Sequence, residues 1–164
     1  MLVVMLKMRP KQVKKASRSR RARLTPRQRF ARLRQNERAA LLDYVARLRE
    51  KFGDRVQHVI LYGSRARGEG DTESDLDVLV VVDDGNGRFH DAVADEAVEP
   101  WLQHNALLSP IVWSRDYFEQ QARWRLLFFR NLQRDGIELW TRPRKRLTAS
   151  TVSIEHATIS KQRT

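Results

Sequence analysis

The chain has 164 residues, 41% of them apolar, which is enough to bury the core of one domain but not comfortably of two. It contains no cysteine, which excludes disulfides, a thiol nucleophile and thiolate metal sites and points to a reducing, cytoplasmic setting. The net charge of +12 is unevenly spread: residues 1–52 hold 17 Lys or Arg against 3 Asp or Glu, residues 53–140 hold 9 against 16, and residues 141–164 hold 6 against 1.

No apolar run nears the ~20 residues that span a bilayer, so no membrane partner is expected. Residues 1–24 form a basic arm with too few apolar side chains to pack, expected to be disordered in isolation. Such an arm suits a polyanion, or is a solvated tail. Thr25 and Pro26 read as the N-cap and first position of a helix. Phe30, Leu33, Leu41, Tyr44, Val45, Leu48 and Phe52 recur at helical spacing, and Gly53 stops the run. The spacing predicts one long helix over residues 25–52, with a candidate break near Gln35 and Asn36. Arg27, Arg29, Arg32, Arg34 and Arg38 are expected mostly on its solvent side.

Val56 to Tyr62 reads as a strand that runs into Gly63 and Ser64, with His58 as a structural histidine. Arg65 and Arg67 follow, and Gly68 and Gly70 permit a sharp return. Asp71 and Glu73 read as turn residues. Leu76 to Val82 reads as a central strand, its apolar run implying burial on both faces. A loop follows at residues 83–87, then a helix from about Arg88 to His104, with any interruption just before Pro100. Leu107 to Trp113 reads as a third strand, which Pro110 assigns to an edge or a bulge. Ser114 can cap a helix from Arg115 to about Arg134, or two helices meeting near Ala122 and Arg123. Gly136 ends it, Ile137 to Trp140 closes the sheet, and residues 141–164 form a basic, Ser/Thr-rich tail. The expected fold class is α/β (α+β), a small mixed β-sheet flanked by helices, within a domain over residues 25–140.

The chemistry gathers between the first two strands. Strand side chains alternate faces, so Asp75 and Asp77 project together while Leu76 and Val78 project the other way. Two carboxylates on one face repel each other. A hard divalent cation such as Mg²⁺, which takes one or two carboxylates plus substrate phosphate oxygens, gives that pairing a purpose. Gly63 and Ser64 sit where a strand turns toward a helix, and backbone amides and a hydroxyl there suit a phosphate. Arg65 or Arg67 could reach the same triphosphate, or pair with a loop carboxylate such as Glu69 or Asp71.

Gly63-Ser64-Arg65-Ala66-Arg67-Gly68 followed by Ser74-Asp75-Leu76-Asp77-Val78 resembles the signature of the polymerase-beta-like nucleotidyltransferase superfamily. The length points to its minimal nucleotidyltransferase (MNT) branch. The resemblance implies Mg²⁺-dependent transfer of a nucleoside monophosphate from ATP or another NTP to an acceptor. On it Asp75 and Asp77 are the catalytic, metal-holding pair, and Gly63, Ser64, Arg65 and Arg67 are nucleotide-binding. The family usually adds a third carboxylate on the next strand, whereas Leu107 to Trp113 carries no acid and Asp116 is the nearest downstream. The branch often works beside a helical HEPN-type protein in toxin–antitoxin pairs, neutralising the toxin. Two alternatives stay open at this point: a catalytically silent module that neutralises a partner by contact, and a nucleic-acid binder using the basic flanks.

Overall fold

The computed structural model describes residues 24–71, 74–83 and 89–143. The basic arm apart from Leu24, the tail from residue 144, Glu73 and most of the loop after the second strand lie outside the described residues.

Twelve elements follow one another among the described residues. Helix α1 (Pro26–Ala31) leads to α2 (Gln35–Phe52), a 3-10 turn and strand β1 (Val56–Leu61). Then come α3 (Gly63–Arg67), β2 (Leu76–Val82), α4 (His90–Asp95), α5 (Val98–His104) and β3 (Leu108–Ser114), and finally α6 (Arg115–Trp124), α7 (Leu127–Asp135) and β4 (Ile137–Thr141). The sheet order is β3-β2-β1-β4, with β1 antiparallel to both neighbours and β3 parallel to β2. It is a mixed four-stranded sheet flanked by helices.

Local chemistry accounts for the boundaries. Thr25 accepts from the amide of Gln28, whose side chain accepts in return from the Thr25 amide at 2.9 Å, and Pro26 opens α1. The expected break falls earlier, at residues 32–34, where Arg34 turns extended and its amide donates to Glu37 Oε2 at 2.8 Å. The helix before β3 breaks near Glu96 and Ala97 instead of at Pro100. Pro100 lies inside the first turn of α5, where its missing N–H costs little. The last helical stretch parts at Arg125 and Leu126, three residues later than the pattern suggests. Ser114 does cap α6, accepting from the Tyr117 amide at 3.2 Å.

Strand β2 is interior, and six of its seven residues are buried. Pro110 lies in β3, an edge strand, where the lost amide costs least. One face of the sheet packs Val59, Leu61, Val78 and Val80 under Ala40, Leu41, Tyr44 and Leu48 of α2. The other packs Ile60, Leu79 and Val81 under Phe118, Phe129 and Leu132 of α6 and α7. Each large apolar side chain so enclosed contributes about 1.5–3 kcal/mol. The Tyr44 hydroxyl, carried deep by α2, donates to the Val93 carbonyl at 2.8 Å and is satisfied.

Arg29 departs from the expected solvent-facing row. It is buried and donates from Nη1 to the carbonyls of Ala66 at 2.8 Å and Asp135 at 2.6 Å, tying α1 to the ends of α3 and α7. His58 is the structural histidine expected, its Nδ1 lying 2.7 Å from Glu138 Oε1 and 2.9 Å from Thr141 Oγ1. Among the described residues no helix is long and apolar enough to cross a membrane.

Candidate active site

Strand β1 ends at Leu61, and the chain turns through Tyr62 into the short helix α3. Gly63 opens that helix at φ +75°, a left-handed conformation that a side chain would strain. The second reason for glycine is space. A Cβ there would overlap Asp77 Oδ2 and stand 3.0 Å from Asp77 Cγ. The Tyr62 amide donates to the Asp77 carbonyl at 2.9 Å, which locks the two segments in register. No side chain caps the start of α3.

Asp75 sits exposed just before β2, and Asp77, the second residue of the strand, is half-buried. Burial first, and then the neighbouring Asp75 charge, push the Asp77 carboxyl above the usual carboxylate range, while Arg67 pulls it down. Burial and the Asp75 charge thus both disfavour the ionised form of Asp77, against the pull of Arg67. Burial and the Asp77 charge also push the Tyr62 hydroxyl up to about 12. Tyr62 was legible only as the end of a strand, and it is the aromatic wall beside the acids.

The remaining predicted residues separate. Arg67 is exposed on α3, acts electrostatically on Asp77, and pairs with Glu69 at 2.6 Å. The alternative of a loop-carboxylate partner thus holds for Arg67, on the side of the acids. Ser64 lies at the loop: a Cβ at Gly70 would stand 3.1 Å from its Oγ. Arg65, expected at the triphosphate, is committed elsewhere. It is buried, forms an ion pair with Glu37 of α2, and donates from Nη1 to the carbonyls of Gly70 at 3.0 Å and Asp71 at 2.8 Å. The cause is helical geometry, since side chains two apart on a helix do not share a face. Arg67 stays toward the acids while Arg65 turns into the body. Asp71 does act as a turn residue, its amide and Oδ1 both meeting Ser74 Oγ.

Glu37 escaped sequence reasoning. Its signal is the Arg34-x-x-Glu37 spacing at the start of α2, which places a carboxylate over the first turn.

The parallel pairing of β2 with β3 sets Ser109 beside Asp77, and β3 carries no acid. Among the described residues no third His, Cys, Asp or Glu joins the pair into a metal-binding cluster. Two carboxylates, a glycine that leaves room for one of them, and the raised Asp77 carboxyl still fit a divalent cation whose other ligands come from a substrate.

Residues 43–146 match the family described as "Nucleotidyltransferase domain". A relative from Methanocaldococcus jannaschii, named "Putative protein adenylyltransferase MJ0604", is 34% identical over 105 residues, covering 64% of this chain and 99% of its own length. A second from the same organism, "Putative protein adenylyltransferase MJ0141", is 36% identical over 63 residues, covering 38% of this chain and 64% of that protein. Among solved structures, one titled as a putative nucleotidyltransferase from Sulfolobus solfataricus aligns over 71% of this chain and 87% of its own, at 19% identity and a TM-score of 0.40.

Proposed function

The chain belongs to the nucleotidyltransferase domain family and is a nucleotidyltransferase, and we propose that it moves the nucleoside monophosphate of an NTP, ATP first among them, onto a hydroxyl of a protein acceptor. The observation that carries this is the Asp77 carboxylate seated against Gly63 at the start of α3, beside Asp75. The turn at Gly63 thus adjoins Asp77, and the Asp75 charge reaches the same carboxylate. The names of the two M. jannaschii relatives support a protein acceptor and an adenylyl group.

Asp75 and Asp77 would hold Mg²⁺. When bound, it supplies charge neutralisation of the triphosphate and Lewis-acid polarisation at the α-phosphorus. Gly63 and Ser64 offer amides and a hydroxyl to the β and γ phosphates. Arg67 exchanges Glu69 for a phosphate oxygen, since its guanidinium is exposed and its ion pair is a surface one. Asp77 would hold the cation from a half-buried place in β2, and Asp75 from an exposed one just before it. The acceptor oxygen bonds to that phosphorus in line as the bond to pyrophosphate breaks. Pyrophosphate leaves with the electron pair, and the hydroxyl proton passes to water. Arg65 takes no part in binding; it braces the loop that carries the acids. The helical HEPN-type protein implied by the resemblance is the first acceptor to try.

Transfer of label from α-³²P-ATP with Mg²⁺ tests the reading. Label should appear on a protein acceptor and vanish with Asp75→Asn or Asp77→Asn. Transfer that persists in either variant, or that never exceeds a no-enzyme control, overturns it.

A further inference from the structure

Helices α6 and α7 meet in a turn whose side chains point away from the core. Trp124 is 60% exposed, Leu126 42% and Leu127 72%. Arg125 sits between them at φ 49° and ψ 41°, a left-handed conformation rare for a residue with a side chain. That backbone ends α6, and Trp124, Leu126 and Leu127 all stand exposed around it. Strained turns of this kind concentrate at functional surfaces.

The charge around the turn has one sign. Arg123, Arg125 and Arg130 are exposed, and among the described residues no carboxylate pairs with any of them. The chain carries no acid between Glu119 and Asp135. Tryptophan and arginine are residue types enriched at binding hot spots, and the two exposed leucines add apolar area beside them.

The knuckle also adjoins the site. Leu127 precedes Phe128, whose ring lies 5.2 Å from that of Tyr62, edge to face. Tyr62 leads directly into Gly63 and feels the Asp77 charge. The helix that carries Leu127 thus packs, through Phe128, against the residue that leads into Gly63.

Resting on the reading above, we propose that this knuckle is the docking surface for the acceptor. Its occupant is a protein segment in which acidic residues alternate with large apolar ones, presenting its hydroxyl toward Asp77. The apolar side chains cover Trp124, Leu126 and Leu127, and the acids pair with Arg123, Arg125 and Arg130. A segment of that composition would be repelled by the paired carboxylates unless the arginines captured it first. The acceptor's acids therefore bind beside the site, and only the hydroxyl enters it.

Fluorescence anisotropy tests this without turnover. Two labelled peptides share their leucine, phenylalanine and tyrosine positions and differ only in having Glu or Lys between them. The Glu peptide should bind about tenfold more tightly or better, and weaken as salt rises. Arg123→Glu with Arg125→Glu should invert the preference. Trp124→Ser with Leu127→Ser should weaken the Glu peptide about tenfold while calorimetry gives unchanged ATP binding. Equal affinity for both peptides, or affinity unmoved by both double variants, overturns the proposal. So does a loss of ATP binding with peptide binding intact, which would make Trp124 a base-stacking residue. A single-stranded oligonucleotide that outcompetes the Glu peptide and depends on the same side chains overturns it as well. Peptide binding that behaves as expected with no label transfer sinks only the proposed reaction.

Discussion

The carboxylate of Asp77 and the Cα of Gly63 adjoin across the β1–β2 pair so closely that no side chain fits on residue 63. Gly63→Ala must therefore displace the acid, the turn or both. We expect transfer to fall about a hundredfold, the scale of an ångström-size misplacement of a reacting group. Stability should drop by about 1–3 kcal/mol, because alanine also has to adopt φ +75°. Steady-state transfer rates and urea melts check the two parts, and a near-normal rate would show that Asp77 need not stay where it is.

Asp77 carries its charge at a cost, set by burial and by Asp75. Its folded carboxyl titrates above the unfolded one, so its contribution to stability is present below the ordinary carboxylate range and is lost as pH rises through the folded value. Metal-free Asp77→Asn protein should accordingly melt higher than the wild type at pH 7, with a flatter dependence between acid and neutral pH. Mg²⁺ with ATP should reverse the order, stabilising the wild type by about 2.7 kcal/mol at a hundredfold excess over Kd and leaving the variant unmoved. Thermal melts with and without Mg²⁺ and ATP read both effects.

Tyr62 reports on the same charge. Its hydroxyl is pushed up to about 12 by burial and then by Asp77. A raised tyrosine contributes stability that is intact below about pH 10, the ordinary tyrosine value, and is lost as pH climbs toward 12. The difference in alkaline titration between wild type and Tyr62→Phe, followed by tyrosinate absorbance, should place one transition near that value. Asp77→Asn should move the transition down. A transition indifferent to Asp77 would mean that burial alone sets it.

Arg65 and Glu37 form a buried ion pair between α3 and α2, with Arg65 also holding the Gly70 and Asp71 carbonyls. Removing one partner leaves a buried charge without its counterpart, so Arg65→Met or Glu37→Leu should each cost about 3–5 kcal/mol. The double variant should recover most of that loss. Arg67→Met, whose partner Glu69 is exposed, should change stability by less than about 1 kcal/mol and instead raise the KM for ATP. Denaturant midpoints and ATP saturation curves for the four proteins separate a brace from a phosphate contact.

Much of this protein was decided by short-range information. The apolar run of Leu76 to Val82, the cap at Thr25 and the spacing of Asp75 and Asp77 each follow from rules that act within a few residues. The sequence alone therefore yielded the interior strand, the helix start and the placing of Pro110 at an edge or a bulge. It could not decide among the four arginines that matter. Arg29, Arg65, Arg67 and Arg125 are chemically one residue type, and local pattern treats them alike. Tertiary structure buried Arg29 and Arg65 where carbonyls and Glu37 could satisfy them, left Arg67 beside Asp77, and used Arg125 to turn two helices apart. A guanidinium's role is set by which acceptors reach it once water is gone, and those acceptors come from segments as distant as Asp135 is from Arg29.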